Sequence, residues 1–489
     1  MLRRICLAVS LALLVSVSAR AETRCDKALK HLGGQLVDFI CVESGDLTTN
    51  NPATTPPNNS LAHQPAFAFT PQTDRGVIAP SAGKRTPITK AVPGVQINGY
   101  IAGDPTGQAR FLLRLPDDWN GRLVVAGASG TRSEFNGDFA WSDYVLQKGY
   151  AYASQNKGVL NLQLTTAADP LGCRLNPASP VFVHFFDNDP GQPFTRWAQF
   201  MIRAAELARD GVKGRYGNPP RYTYAVGTSN GGYQVRRAVE LAPGLFDGGV
   251  DWEGTFVDEH APNLLTDLPP AILNFPDYVA SLMSPASTAA KNIVAAGYPP
   301  DIVLVPGLVS LWSNYSAQFW EVTQCQWQKR LDPTYDTYVS GTGTYNYVSR
   351  LSFSDVGANF AAFATSGQIQ RPLVTVAGTM DGLLPIDHHA RAYARKVAAA
   401  LADESGQRND GRGPAYRLYE VQNGNHIETF QDTFPQLELI EPHAQRAFDL
   451  VVDQVERNVA LPPDQCIPRG GSIAETPAQR GHCASLFAP

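Results

Sequence analysis

Tyr222-Thr223-Tyr224-Ala225-Val226-Gly227-Thr228-Ser229-Asn230-Gly231-Gly232 is the stretch whose reading decides the fold. Five β-prone residues run into Gly-x-Ser-x-Gly, and residues 234–241 then show helical spacing up to Pro243. In a chain of 489 residues with 42 glycines, about 0.2 such motifs are expected by chance. The meaning therefore comes from the flanks, an apolar strand before and a helix after. A serine at so sharp a strand-to-helix turn tolerates only small neighbours, and the helix N-terminus beyond it offers free N–H groups.

Working outward, residues 111–115, 122–126, 150–154, 246–251, 373–377 and 416–421 also read as strands. Residues 194–210 have helical apolar spacing that is expected to stop at Gly211, and 444–455 read as a closing helix. Strands separated by helices predict an α/β fold, a mainly parallel sheet flanked by helices. Between Phe256 and about Thr365 the alternation is lost and aromatic residues concentrate, which predicts a large inserted lid. Residues 46–95 are rich in Thr, Pro, Asn and Ala and read as an irregular surface wrap. The expected organisation is a signal peptide (1–21), an N-terminal extension (22–95), a first core part (96–256), the lid (257–365), a second core part (366–460) and a tail (461–489).

Two further segments fall in a telling order. Gly378-Thr379-Met380-Asp381 places a carboxylate just past the strand 373–377, and Asn423-Gly424-Asn425-His426 places a histidine just past 416–421. Ser229, Asp381 and His426 follow the Ser…acid…His chain order of the α/β-hydrolase fold. A serine hydroxyl becomes nucleophilic when a neutral imidazole takes its proton, and the acid fixes the tautomer and stabilises the imidazolium. Oxyanion donors are expected from the backbone N–H groups of Asn230 and Ala128. Asp251, also at a strand end, is the rival acid. His388 and His389 could suggest a metal site, but adjacent residues rarely turn both rings to one ion, so a solvated helix start is expected. His184 reads as a strand or pocket histidine. The lid aromatics are expected to form the insertion's own core, with Trp312, Phe319 and Trp320 named as pocket candidates.

The first residues combine Arg3-Arg4, an apolar run from Ile5 to Val17 and Ala19-Arg20-Ala21, the layout of a secretory signal peptide. Removing its three arginines takes the formal charge from -5 to -8. No basic stripe is present, which argues against nucleic acid, and no second apolar stretch reaches membrane-spanning length. A secreted or periplasmic protein without membrane or nucleic-acid partners is expected; the sequence is silent on oligomeric state. Cys6 lies in the leader. The six remaining cysteines allow 15 pairings, of which Cys25–Cys41, Cys173–Cys325 and Cys466–Cys483 are expected.

Pro116-Asp117-Asp118-Trp119-Asn120-Gly121-Arg122, Gly149-Tyr150-Ala151-Tyr152-Ala153-Ser154, Arg215-Tyr216-Gly217 and the serine turn followed by Phe246-Asp247-Gly248 resemble the tannase and feruloyl esterase family, distantly. The likeness covers about residues 110–256 and 370–430. It implies a secreted serine esterase acting on aromatic (galloyl or feruloyl) esters, with triad roles on Ser229, Asp381 and His426. Where that family has a disulfide-bonded cysteine pair beside the nucleophile and the histidine, this chain has Thr228 and Ile427. No cofactor or catalytic metal is expected. The family's lid calcium does not carry over, because 257–365 has no D-x-D-x-D-G run; a structural calcium there stays open. The Ser-Asn-Gly-Gly turn is also similar to that of 3-hydroxybutyrate oligomer hydrolases and polyester depolymerases, so an aliphatic oligoester or polyester is the alternative substrate. A serine peptidase or amidase on the same fold is a further reading. A non-catalytic hydrolase-fold binding protein is the last; such proteins commonly lose a triad member, and all three positions are filled here.

Overall fold

Alternation along the central strands sets the layers. In the computed structural model, Leu123 and Val125 join one buried cluster while Val124 and Ala126 join another. A strand buried on both sides needs helices on both sides. The structure describes residues 22–55, 75, 78–130, 133–159, 173, 194–335, 344–405 and 415–489. The leader, His184 and parts of the 46–95 stretch and of the lid lie outside the described residues.

The strands are β1 (Leu36–Ser44), β2 (Gly94–Ile101), β3 (Arg110–Pro116), β4 (Arg122–Gly127), β5 (Ala151–Gln155), β6 (Tyr222–Thr228), β7 (Gly248–Trp252), a separate hairpin β8 (Val303–Val305) and β9 (Val309–Ser310), then β10 (Leu373–Gly378), β11 (Tyr416–Val421) and β12 (Gln465–Ile467). Ten of them form one sheet in the order β1-β2-β3-β5-β4-β6-β7-β10-β11-β12. β1, β2, β3 and β5 pair antiparallel, and every pairing from β5 through β12 is parallel. With β5 inserted between β3 and β4, this is the sheet of the α/β-hydrolase fold. Helices Arg196–Tyr216, Asn230–Leu241 and Ala390–Ser405 cover one face, and Glu441–Arg457 covers the other.

The extension is more than a wrap. It supplies helix Arg24–Leu29 and the edge strand β1, joined by the Cys25–Cys41 disulfide. The other bonded pairs are Cys173–Cys325 and Cys466–Cys483, the second tethering the tail that adds β12. The first long helix also corrects the expectation of a stop at Gly211. It runs to Tyr216 and ends on left-handed Gly217, with φ 84°. A Cβ on Gly211 would strike Leu113, and one on Gly214 would lie 2.5 Å from Lys27 O, so both glycines serve close packing rather than termination.

The lid is mainly helical, from Leu264–Ala280 through Glu321–Leu331 to Val356–Ala361. Its apolar cluster merges with core residues Met380, Leu383, Leu384 and Ile427. His388 and His389 are not a solvated helix start. Both face Asp267 of the lid: His388 Nδ1 is hydrogen-bonded to Oδ1 at 2.9 Å, and His389 Nε2 is 3.2 Å from Oδ2 without hydrogen-bond geometry. His389 Nδ1 accepts the Phe256 N–H at 3.0 Å, so that nitrogen carries no proton. Burial keeps His389 below its ordinary pKa. Burial also opposes protonation of His388, but the Asp267 carboxylate outweighs it and raises that pKa; the two histidines in turn hold Asp267 low against its own burial. Among the described residues no helix is long and apolar enough to cross a membrane.

Replacing Asp267 by Asn is expected to cost about 1–3 kcal/mol of stability, the range for a buried bond to a charged group. The depressed Asp267 pKa makes its contribution present above about pH 4, and the raised His388 pKa makes it fade as pH climbs past about 6.5. Thermal midpoints of the two proteins, compared from pH 5 to beyond the His388 transition, are expected to converge toward the alkaline end.

Candidate active site

Glycines bring the elements of the site together. A Cβ on Gly127 would lie 2.5 Å from Gly231 O, one on Gly231 2.6 Å from Gly127 O, and one on Gly227 would also strike Gly231. Without side chains there, the first turn of helix Asn230–Leu241 presses onto the ends of β4 and β6. Ser229 sits at the bend with φ 59° and ψ −124°, strained for any L-residue. Its own N–H donates to Trp252 O at 2.9 Å, which pins the turn to β7.

A second pair of loops meets it. Thr379 N–H donates to Val421 O at 3.0 Å and Met380 N–H to Gly424 O at 2.8 Å, so the segments after β10 and β11 are zipped together. Asp381 Oδ1 accepts the N–H groups of Leu383 and Leu384 at 2.7 and 2.8 Å, and Oδ2 lies 2.7 Å from His426 Nδ1. His426 Nε2 lies 2.9 Å from Ser229 Oγ. All three side chains are buried. Tyr315 of the lid donates to Asn425 Oδ1 at 2.7 Å and Asn425 to Ile427 O at 2.9 Å, bracing the histidine loop. The tail reaches the same loop, Ala488 N–H donating to Asn423 Oδ1 at 2.7 Å.

Ser229 and His426 open onto a cleft walled by Ile78, Leu264, Phe319, Trp327, Leu383, Leu384 and Ile427, with Ser129, Gly130, Asn230, Thr255 and Thr323 as its polar groups, while Asp381 stands behind the imidazole. Among the described residues the wall carries no Asp, Glu, Lys or Arg, an environment fitted to a neutral substrate. An alcohol, an imidazole and a carboxylate in this chain of contacts can generate a serine alkoxide equivalent.

Several expected site residues stand elsewhere. The Ala128 N–H is taken by Gln234 Oε1 at 2.9 Å, so it points away from the cleft; Asn230, at the first turn of its helix, lines it. Of the three aromatics, only Phe319 reaches the cleft. Trp312 is buried in the lid, its indole N–H on Pro299 O at 3.2 Å, and Trp320 donates to Gly382 O at 2.7 Å. Trp327, grouped with the lid core by sequence, belongs to that core and also lines the cleft. Asp251 accepts from Arg236 Nε at 2.6 Å, Thr375 Oγ1 at 2.8 Å and Gly254 N at 2.7 Å, and is spent beneath the sheet's end. Two residues that sequence reasoning missed are Lys157, whose ammonium group donates to Ser129 O and Gly130 O, and Glu253, whose Oε2 is 3.7 Å from His426 Nδ1. The only sequence signal for Glu253 was its place two residues past Asp251 at a strand end.

Comparison with known proteins adds two kinds of likeness. A family model described as 3HB-oligomer hydrolase matches residues 341–485, a span that holds Asp381 and His426 but not Ser229. The D-(-)-3-hydroxybutyrate oligomer hydrolase of Burkholderia thailandensis is 30% identical over 131 residues, covering 25% of this chain and 17% of that relative's length. Among solved structures, the tannin acyl hydrolase from Aspergillus niger aligns over 88% of this chain and 92% of its own, at 12% identity and a TM-score of 0.48. Feruloyl esterase B from Aspergillus oryzae aligns over 87% and 88%, at 14% identity and a TM-score of 0.45.

Proposed function

We propose that this protein is an exported carboxylic ester hydrolase working through an acyl-enzyme on Ser229. The observation that carries the reading is the unbroken Ser229–His426–Asp381 contact chain, 2.9 and 2.7 Å long, at the foot of an apolar cleft. His426 Nε2 accepts the Ser229 proton as Oγ attacks the ester carbonyl, while Nδ1–H donates to Asp381. The imidazolium then protonates the leaving alcohol. Water repeats the sequence on the acyl-enzyme and releases the acid. The leader-like first residues and three disulfides support export.

The oxyanion donors in this reading are the N–H groups of Asn230 and Gly130. The carbonyls of Ser129 and Gly130 turn toward the Lys157 ammonium. In a trans peptide the N–H points opposite to the C=O, so the Gly130 N–H is directed away from Lys157, on a residue that lines the cleft. Lys157 is therefore a positioning residue for the oxyanion loop.

For the substrate, we favour oligoesters of the 3-hydroxybutyrate type. The sequence likeness to hydrolases of that name, and a cleft wall of mostly aliphatic side chains, support it. The aromatic-ester reading keeps one specific support, the Phe319 and Trp327 rings in that wall.

Ser229→Ala is expected to lower p-nitrophenyl butyrate turnover by at least about 10³-fold in a folded protein; unchanged turnover rejects the reading. Lys157→Met is expected to lower kcat by roughly 10- to 100-fold with little change in KM, because the oxyanion exists only past the ground state. Steady-state kinetics on both variants read these effects. With purified protein, 3-hydroxybutyrate dimers and trimers are expected to give higher kcat/KM than galloyl or feruloyl esters; the reverse order assigns the aromatic substrate.

A further inference from the structure

Behind His426 stands a second carboxyl group for which the mechanism above has no use. Glu253 follows the last residue of β7 and is buried, with a left-handed φ of 51°. A glutamate holds that backbone only where its surroundings over-determine it. Its amide donates to Val376 O at 2.9 Å, and its Oε1 accepts the Gly378 N–H at 2.9 Å. Oε2 has no hydrogen bond of good geometry among the described residues and faces His426 Nδ1 at 3.7 Å. Asp381 Oδ2 is 2.7 Å from the same nitrogen, and one oxygen of each acid lies with that nitrogen inside a 4.8 Å group.

Two buried carboxylates this close do not both ionise; they divide one proton between them. Their surroundings decide which keeps it. Asp381 accepts two backbone N–H groups on one oxygen and faces the imidazole with the other. Glu253 has one amide at good geometry. Burial, then the charges of Asp381 and Glu428, push its carboxyl well above the usual range, against the Gly378 amide and the Trp252 indole.

Resting on the esterase reading, we propose that Glu253 is the second acid of this site. It is a positioning residue, neutral beside ionised Asp381, that takes the partner's place at His426 Nδ1 when Asp381 is absent. Losing the Asp381 charge frees Glu253 to release its proton to solvent, and its idle oxygen already faces the imidazole.

A double-mutant cycle on kcat/KM for p-nitrophenyl butyrate tests this, with wild type, Glu253→Gln, Asp381→Ala and the double variant. Glutamine keeps the size of the neutral acid but cannot ionise. Its cost is expected to be about tenfold or more greater in the Asp381→Ala background than in wild type. Equal factors in the two backgrounds overturn the proposal. A readout independent of activity and of Asp381→Ala folding is the infrared carbonyl stretch of protonated carboxyl groups at neutral pH. Wild type is expected to lose one such component on Glu253→Gln, and an unchanged band overturns the assignment. If Ser229→Ala retains turnover, the esterase reading fails; equal cycle factors with an essential Ser229 reject the role of Glu253 alone.

Discussion

Ser229 can stand where it does because three glycines, Gly127, Gly227 and Gly231, let a helix touch the ends of two strands. The close approach forces the bend, and the bend lifts the hydroxyl clear of the sheet toward the imidazole. The left-handed φ of 59° is a local cost of order 1–3 kcal/mol, offset by the sheet and helix packed around it. Everything downstream is a consequence of this approach. Asn230, the helix's first residue, lines the cleft, and Ser229's own amide is tied back to β7 at Trp252. An added methyl at any of the three glycines meets backbone, which cannot move aside as a side-chain tip can.

The lid completes what the sheet alone leaves open. Leu264, Phe319, Thr323 and Trp327 come from it and wall the cleft, while Tyr315 braces Asn425 beside His426. It is attached by polar contacts buried among apolar ones. The His388–Asp267 hydrogen bond is of this kind, as is the Lys396–Asp258 ion pair. Such bonds are directional, so they fix how the lid sits as well as how firmly.

Which features were legible in the sequence follows from how local their causes are. The strand, the serine turn and the helix after it are written in 20 consecutive residues, Tyr222 to Leu241, and the two loops bearing Asp381 and His426 follow strands with clear apolar runs. β1 was harder, because an edge strand with Val37, Phe39, Ile40 and Val42 exposed shows no inward alternation. Gly211 misled because a glycine that permits close packing reads the same as one that ends a helix; only Leu113 across the interface tells them apart. Ala128 failed for a related reason. The direction of its N–H depends on Gln234, a residue 106 positions away. The paired histidines were misjudged because their partner, Asp267, lies in the lid.

Three acids cluster at the carboxyl ends of β7 and β10, and chemistry separates them by environment rather than by residue type. Asp251 is neutralised by Arg236 and held by Thr375, so it serves the sheet. Asp381 receives N–H donors on one oxygen and faces the imidazole with the other, so it serves His426. Glu253 has fewer donors and a negative neighbour, the surroundings that favour a neutral acid. Its Oε2 lies 3.7 Å from His426 Nδ1, so the imidazole has a second carboxyl oxygen within reach. The placement of N–H donors, more than the count of carboxylates, thus separates the roles of the three acids.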